Sequence, residues 1–293
     1  MASAAAQPES VGEATLAVSG FVIPLAVISV GLRFYARVYT RQGLRADDWL
    51  ILAAVVTTIV NSALLLWGNS VAPKGLWASQ NSDAGYILTD GDVMYFKIIV
   101  ACSVLYFTVS GTTKSGILYM YYRIFHADAA CRYQVFALAG LVVGWWIGGT
   151  IAILTSCIPL EGVWTKGLAD STYCFNLNIF WLVIGIIETV LDMLILTLPL
   201  QGLAKLELTP RRKLTLSAIF LLGGFVVVTG IVKVVTGYVP GGRLPSFSNG
   251  EVWVTLHMGI AIVCSCLPLF KPLFDRLMES SLVIKMSTLF RKG

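Results

Sequence analysis

The stretch from Phe175 to Ala204, FNLNIFWLVIGIIETVLDMLILTLPLQGLA, decides the fold of this chain of 293 residues. It is apolar and exceeds the roughly 20 residues that a helix needs to cross a membrane. Glu188 and Asp192 are its only charged residues, and their spacing of four places them on one face of a helix. A carboxylate at membrane depth costs on the order of 3 kcal/mol. The sequence therefore predicts a membrane protein with a polar interior.

The same apolar pattern recurs along the whole chain. Hydrophobic residues make up 57% of it and charged residues only 13%, whereas a soluble domain carries about a quarter charged residues. We therefore predict an all-α membrane protein, a bundle of seven transmembrane helices. The predicted spans are Ala14–Phe34, Trp49–Gly68, Val93–Tyr121, Tyr133–Ser156, Leu177–Leu200, Leu214–Tyr238 and Val252–Phe270. Residues 1–13 are predicted to be a disordered tail, 14–270 the membrane domain and 271–293 a basic amphipathic tail.

The distribution of lysine and arginine predicts the orientation of the bundle. Fifteen of the 21 fall on one predicted side and three on the other. The fifteen are Arg33, Arg37, Arg41, Arg45, Arg123, Arg132, Lys205, Arg211, Arg212, Lys213, Lys271, Arg276, Lys285, Arg291 and Lys292, and the three are Lys74, Lys166 and Arg243. Because basic loops stay on the cytosolic side, the N-terminus is predicted outside and the C-terminus in the cytosol.

The same asymmetry predicts partners for the cytosolic face. A net charge of +5 concentrated there favours anionic lipid and not nucleic acid. The tail 271–293 mixes apolar and basic residues, which is typical of a helix lying on the membrane surface. Docking of a cytosolic partner on this tail is the alternative. The plasma membrane and the endoplasmic reticulum both fit this topology.

Two of the six cysteines favour a disulfide. Cys157 and Cys174 both fall on the predicted outer side, where the environment is oxidising. A disulfide between them would hold Trp164 over the mouth of the bundle, and two unpaired buried thiols are the alternative. No cysteine or histidine spacing predicts a metal site.

The titratable residues inside the spans separate by depth into two predicted layers, since each residue advances a helix by about 1.5 Å. The outer layer consists of Lys97, Lys233 and His257, with Glu188 reaching up to it from mid-membrane. The inner layer consists of Asp47, Asp48, Lys114, Arg123 and Asp192.

The inner layer is predicted to be a structural charge layer. Buried opposite charges pair to hold helices together, and Asp192 with Lys114 is the pair that we expect. Asp47 and Asp48 stand at the start of the second span, where acidic residues also cap a helix.

The outer layer contains the candidate catalytic residues Glu188, His257 and Lys233. Burial disfavours a charged Glu188 unless a cation neutralises it. With Lys233 or His257 nearby, Glu188 could donate or accept a proton. A purely structural salt bridge is the alternative. Aromatic residues at this depth either line a hydrophobic pocket or belong to the core and the interfacial belt.

A set of motifs in fixed order resembles the fungal rhodopsin-like integral membrane family, of the satratoxin-cluster and receptor-like type. The motifs are Arg33-Phe34-Tyr35-Ala36-Arg37, Asp47-Asp48-Trp49, Lys114-Ser115-Gly116, Tyr122-Arg123-Ile124-Phe125, Cys157-Ile158-Pro159, Cys174, Asp192, Leu198-Pro199-Leu200, Arg212-Lys213 and Cys264-Ser265-Cys266-Leu267-Pro268. Each motif alone is weak, and their order over nearly the whole chain is specific.

Three departures from the family pattern fall in the outer layer. Glu188, Lys233 and His257 stand where the resemblance implies asparagine, arginine and glutamate. The resemblance therefore implies a shared inner scaffold and a divergent outer pocket. A retinal Schiff base would need a lysine in the middle of the seventh span, and Val252–Phe270 contains none. No cofactor is predicted.

These observations leave two classes of function open. One is a membrane enzyme or accessory factor of fungal specialised (secondary) metabolite biosynthesis, in which Glu188 and His257 shuttle a proton to cyclise or isomerise a lipophilic small molecule. The alternative is a G-protein-coupled-receptor-like sensor at the plasma membrane. Transport is less favoured, because no repeat and no pair of broken helices is visible.

Overall fold

The computed structural model describes residues 8–41, 43–71, 89–124, 129–165, 172–203 and 210–279. These residues form helices and no strands, which confirms the predicted all-α class. The seven long helices are α1 Pro8–Tyr39, α2 Ala46–Val71, α3 Asp90–Ile124, α4 Ala129–Leu154, α5 Leu177–Leu203, α6 Pro210–Gly237 and α7 Phe247–Glu279. A one-turn helix, Gly162–Thr165, lies between α4 and α5.

Six of these helices are long and apolar enough to cross a membrane. Their apolar segments are Thr15–Tyr39, Ala46–Ser70, Asp90–Ile124, Ala129–Leu154, Leu177–Pro199 and Gly250–Phe270. In α6 the apolar segment within the described residues is shorter, Leu221–Gly237. Large apolar side chains such as Phe21, which is 70% exposed, cover the outside of the bundle. A surface of this kind suits lipid contact.

The helix ends differ from the predicted spans by several residues, and the differences in α1 and α7 change the interpretation of the tails. Helix α1 begins at Pro8, so the predicted N-terminal tail is helical from that residue. It also continues past Phe34 to Tyr39, which brings Arg37 into the helix beside Arg33. Helix α7 runs on to Glu279, so residues 271–279 extend the seventh helix. The rest of the predicted amphipathic tail, 280–293, lies outside the described residues.

Helix α3 occupies the middle of the bundle, where it contacts α2, α4, α5 and α7. The remaining helices close the ring, with α1 against α2 and α7, and α6 against α5 and α7. The polar stretch Ser110–Gly116 of α3 is continuous helix and almost entirely buried. Small residues in this stretch allow close packing, because a Cβ on Gly111 would lie 2.5 Å from the Trp146 ring.

The predicted disulfide between Cys157 and Cys174 is confirmed. The two segments also exchange backbone hydrogen bonds, from Ile158 N to Tyr173 O at 2.9 Å and from Phe175 N to Ser156 O at 3.1 Å. We call this side of the bundle the disulfide end. Trp164 is half-buried there, and the Nζ atom of the exposed Lys97 lies 5.3 Å from the centre of its ring.

A pair of adjacent glycines in α4 provides a test of this packing. A Cβ on Gly149 would lie 2.2 Å from Phe107 Cε1, whereas a Cβ on Gly148 would meet nothing within 4 Å. Phe107 is fully buried and stacks on Trp181 with ring centroids 5.8 Å apart, so it has no room to move. We expect Gly149→Ala to lower the free energy of unfolding by about 1–3 kcal/mol.

The control Gly148→Ala is expected to melt at or slightly above the wild-type temperature, since alanine is the better helix former. Differential scanning fluorimetry in detergent micelles measures both variants. Equal melting temperatures for the two variants would contradict the packing of α4 on α3.

Candidate functional site

Helix α5 directs its two carboxylates into the bundle. Glu188 is fully buried, and the Asp192 side chain is 11% exposed. Ile187 and Val190 lie on the other side of the helix and are 43% and 47% exposed. The helical period therefore separates a carboxylate face from a lipid-facing side, as the sequence predicts.

Glu188 lies at the centre of a hydrogen-bond network with four donors. Its Oε1 atom accepts from Ser110 Oγ at 2.5 Å and from Lys114 Nζ at 3.2 Å. Its Oε2 atom accepts from the Tyr106 hydroxyl and from Lys233 Nζ. Lys233 Nζ also donates to the Tyr106 oxygen at 2.6 Å. Charge-assisted bonds of this kind are about twice as strong as neutral ones, so they hold Lys233 and Tyr106 in place.

Asp192 and His257 extend this network on the far side of Glu188. Lys114 Nζ lies 2.9 Å from Asp192 Oδ1, so the ion pair expected from the sequence is present. His257 Nε2 lies 3.7 Å from Glu188 Oε1 and 3.7 Å from Asp192 Oδ2. We call Glu188, Asp192, Lys114, Lys233 and His257, together with Tyr106 and Ser110, the charge cluster.

The charge cluster corrects the predicted division into two layers. Lys114 and Asp192 were expected with Asp47 and Asp48, and they instead contact Glu188 and its partners. Side chains four residues apart on a helix are only about 5–6 Å from each other. One lysine head can therefore pair with both carboxylates of α5. Lys97, placed in the outer layer by depth, is exposed against Trp164 and outside the cluster.

Tyr106 and Ser110 are members of the cluster that the sequence reasoning missed. Tyr106 is an aromatic residue at the depth of the outer layer, and Ser110 belongs to the polar stretch of α3. A signal for both was present, because Tyr106, Ser110 and Lys114 recur every four residues and so share one face of α3.

Asp47 and Asp48 form a second, separate network at the opposite end of the bundle from the disulfide. Arg33 donates to Asp47 Oδ2 at 2.5 Å and to Asp48 Oδ1 at 2.8 Å. Arg37 lies 2.6 Å from Asp47 Oδ2 and 3.1 Å from Asp48 Oδ2. Arg123 approaches Asp47 Oδ1 at 3.4 Å. We call these five residues the arginine cluster and this side of the bundle the arginine end.

The arginine cluster revises two sequence interpretations. Asp48 does accept the backbone N–H of Arg45 at 3.0 Å, so the predicted helix cap exists alongside the ion pairs. Arg33 and Arg37 were counted as loop charges, yet they are 1% and 2% exposed and paired. Their spacing of four residues before an acidic pair was the signal that the reasoning did not use. Arg33 also donates to the backbone oxygen of Ser265 at 2.9 Å, which ties α1 to α7.

Two cavities lie on either side of the charge cluster. The first opens toward the disulfide end. Its volume is about 860 Å³, counting space at its mouth that lies outside the protein. Its walls include Leu65, Ile99 and Trp181. Tyr106 and Lys233 line it where it meets the charge cluster, and we call that side the bottom of the cavity. The second lies toward the arginine end, with Lys114, Asp192 and His257 among its lining residues. Its volume is about 700 Å³, counting space at its open side.

The predicted catalytic residues therefore come together but face different spaces. Lys233 lines the first cavity and His257 the second, whereas Glu188 lines neither of these two cavities. Trp181 lines the first cavity, while Trp145 packs in the core and donates its ring N–H to the Ile184 oxygen at 3.1 Å.

A bundle of apolar helices around buried ion pairs and two internal cavities defines an α-helical integral membrane protein. Within that class, the chain belongs to the fungal rhodopsin domain family, whose sequence profile matches residues 32–276. The match confirms the resemblance noted from the ordered motifs.

Curated relatives of the chain carry two kinds of name. The polyenoic acids biosynthesis gene cluster protein Ba17b of Metarhizium anisopliae is 26% identical over 93% of this chain and 76% of its own length. The satratoxin biosynthesis SC1 cluster protein 4 of Stachybotrys chartarum is 28% identical over 58% of this chain and 62% of its own. The receptor GIN3 of Arthrobotrys oligospora is 26% identical over 84% of this chain and 58% of its own. No solved structure matches.

The chain thus spans less than two thirds of the length of two of these relatives. The family description contains the word rhodopsin, but Phe247–Phe270 of α7 carries no lysine that could form a Schiff base with retinal. This part of the seventh helix therefore does not fit that chromophore.

Proposed function

We propose that this protein is a membrane enzyme of fungal specialised-metabolite biosynthesis that acts on a lipophilic small molecule in the first cavity. The reaction class is isomerisation or cyclisation by proton transfer. In this proposal seven helices span the plasma membrane or the endoplasmic reticulum membrane. Relatives named as biosynthesis cluster proteins support the metabolic assignment.

The proposed orientation places the disulfide end outside and the arginine end in the cytosol. The disulfide supports this, because oxidising compartments favour it. Three exposed arginines support it as well. Arg33 and Arg37 no longer count as basic loop residues, but Arg41, Arg45 and Arg132 remain exposed at the arginine end. We propose that these exposed arginines contact anionic lipid.

The observation that carries the catalytic proposal is the pair of ionisable groups at the bottom of an apolar cavity. Tyr106 and Lys233 line that cavity and are both fixed by Glu188. Ligand pockets are typically apolar, with a few polar groups that orient the ligand. A ligand seated there meets Lys233 as a proton donor next to a tyrosine hydroxyl.

The proposed proton transfer leaves the composition of the ligand unchanged. The Lys233 ammonium donates a proton to one atom of the ligand, and the neutral amine then takes a proton from another atom. Tyr106 shares a hydrogen bond with Lys233 and stabilises both states of the amine. Glu188 does not line the cavity, so it is a positioning residue that supplies the counter-charge.

We expect Tyr106→Phe to lower formation of the isomerised product by about 10- to 100-fold, because the variant removes a hydrogen bond to the charged Lys233 and such bonds contribute about 1.5–3 kcal/mol. The variant removes one hydroxyl and leaves the Glu188–Lys233 ion pair in place. Metabolite profiling of the producing host, with the protein level in its membranes measured in parallel, checks the result.

The matched control is Tyr133→Phe, since Tyr133 is 71% exposed on α4 and far from the cavity. The control is expected to leave the profile unchanged. A wild-type profile in Tyr106→Phe at a normal protein level would overturn the catalytic proposal.

A receptor is the second candidate function. The relative named receptor GIN3 favours it, as does a cavity that opens toward the proposed outer side. In that case the first cavity binds a signal molecule and the charge cluster couples it to the arginine end. Ligand-dependent signalling that persists in Tyr106→Phe would favour the receptor over the enzyme.

A further inference from the structure

Glu251 of α7 differs from the buried carboxylates of the charge cluster and the arginine cluster. Its side chain is 8% exposed. Glu188, Asp192, Asp47 and Asp48 each pair with lysine or arginine. No lysine, arginine or histidine among the described residues lies within the 4.0 Å of an ion pair with Glu251. The sequence reasoning missed it because the predicted seventh span began one residue later, at Val252.

The hydrogen bonds of Glu251 are few and come from neutral groups. Asn69 Nδ2 donates to Oε2 at 3.2 Å, and the Tyr95 hydroxyl donates to Oε1 at 3.3 Å. A carboxylate has about four acceptor positions, so acceptor capacity is left over. Burying such a group without a cation is costly. The position therefore calls for a partner that these residues do not supply.

Glu251 lies in the wall of the first cavity together with a second unsatisfied acceptor. Asn61 lines the same cavity and is 1% exposed, and its Oδ1 atom has no hydrogen-bond partner among the described residues. The two acceptors face a space whose other walls are largely apolar, with Leu65, Trp181 and Val254 among them. A ligand that fits must bring hydrogen-bond donors on an apolar body.

We propose that the first cavity takes a lipophilic amine, whose protonated nitrogen pairs with Glu251, with Asn61 as a second acceptor in the same cavity. This assignment rests on the proposed function, for which it names the substrate class. The apolar body of the amine contacts Trp181 and Leu65 and extends toward Tyr106 and Lys233.

Charge complementarity selects the amine over the alternatives. The charge cluster below the cavity already holds two carboxylates against two lysines. A carboxylic acid ligand would therefore place a second negative charge beside Glu251. A neutral alcohol would satisfy hydrogen bonds but would leave the carboxylate without a counter-charge. Only a cationic head supplies both.

Three photo-crosslinking probes of one shape test the proposal. They are 4-(aminomethyl)benzophenone, 4-(hydroxymethyl)benzophenone and 4-benzoylbenzoate, applied to the full chain in lipid nanodiscs. Peptide mass spectrometry then locates the labelled residues. The amine is expected to label the cavity peptides about tenfold more than the alcohol, because a charge-assisted hydrogen bond is about twice as strong as a neutral one. In Glu251→Gln this preference is expected to disappear.

Two control variants make the result specific. Glu251→Asp keeps the carboxylate and is expected to retain the preference for the amine. Asp90→Asn removes an exposed acid at the start of α3 and is expected to behave as the wild type. Asn61→Leu is expected to lower amine labelling several-fold and keeps the test available if Glu251→Gln is recovered unfolded.

The outcomes separate this proposal from the proposed function. If the alcohol or the acid labels the cavity as strongly as the amine, the amine class is wrong and the lipophilic cavity stands. If the amine keeps its preference in a folded Glu251→Gln, the role of Glu251 is wrong. If no probe labels the cavity, the pocket of the proposed function fails together with its substrate class.

Discussion

Glu188→Gln is expected to lower the free energy of unfolding by about 3–5 kcal/mol, because removing one partner of a buried ion pair leaves the other charge unpaired. Glutamine keeps the size of the side chain, and its single carbonyl oxygen can still accept from either Tyr106 or Ser110. Lys114 retains Asp192 as its partner. Lys233, which pairs only with Glu188 among the described residues, loses its counter-charge. Unfolding by sodium dodecyl sulfate in mixed micelles, followed by tryptophan fluorescence, measures the change.

The double variant Glu188→Gln/Lys233→Met distinguishes a lost charge pair from a general loss of packing. Removing both charges leaves Lys114 and Asp192 as a balanced pair. We therefore expect the double variant to be more stable than Glu188→Gln alone by about 1–3 kcal/mol, the usual range for coupled neighbours. If the loss of stability in the double variant equals the sum of the losses in Glu188→Gln and in Lys233→Met, the Glu188–Lys233 pair does not stabilise the bundle.

Asp47→Asn is expected to have an effect of similar size, about 3–5 kcal/mol, at the other end of the bundle. Asp47 is fully buried and contacts Arg33, Arg37 and Arg123. Arginine stays charged in proteins, so none of the three can escape the loss by releasing a proton. Asp48 alone would have to compensate both buried arginines of α1. The same detergent titration measures the variant.

Asp90→Asn is the matched control for that variant, because Asp90 is exposed in the first turn of α3. It is expected to cost no more than about 1 kcal/mol, which is the size of a charge effect at a helix end. A loss in Asp47→Asn as small as in Asp90→Asn would contradict the structural role of the arginine cluster.

The two clusters also separate stability from function. Variants at Asp47 act far from the first cavity and are expected to change the amount of folded protein. Tyr106→Phe removes one hydroxyl at the cavity and is expected to change the chemistry at a normal protein level. Glu188 belongs to both groups, since it stabilises the bundle and positions Lys233. A loss of product in a Glu188 variant alone is therefore not diagnostic of catalysis.

Several features could be predicted from the sequence because they depend on local order. Apolar segments of about 20 residues must satisfy their backbone hydrogen bonds internally, which in a membrane requires helices. The disulfide could be predicted because Cys157 and Cys174 both fall on the predicted outer side of the membrane. The face that carries Glu188 and Asp192 follows from the helical period. The pairing of Asp192 with Lys114 follows from the need of a buried carboxylate for a cation.

The grouping of the charges depends on the tertiary structure. Depth along a helix can be counted from the sequence, but the rotation of each helix and its neighbours cannot. Counting depth therefore placed Lys114 with Asp47, although the packing of α3 against α5 brings it to Glu188. The same limitation hid the contact of Arg33 with Asp48 and the hydroxyl of Tyr106 beside Lys233.

By itself the sequence determined the helical class, the family, the disulfide and the presence of a charged interior. Only the tertiary structure decided that the charged interior separates two cavities, that Glu188 lines neither of them, and that Lys233 and Tyr106 form the bottom of the first. It also placed Glu251 in the wall of that cavity, where no cation among the described residues forms an ion pair with it. The physical reason is that a cavity is bounded by several helices at once, and the walls that meet there come from α2, α3, α5, α6 and α7.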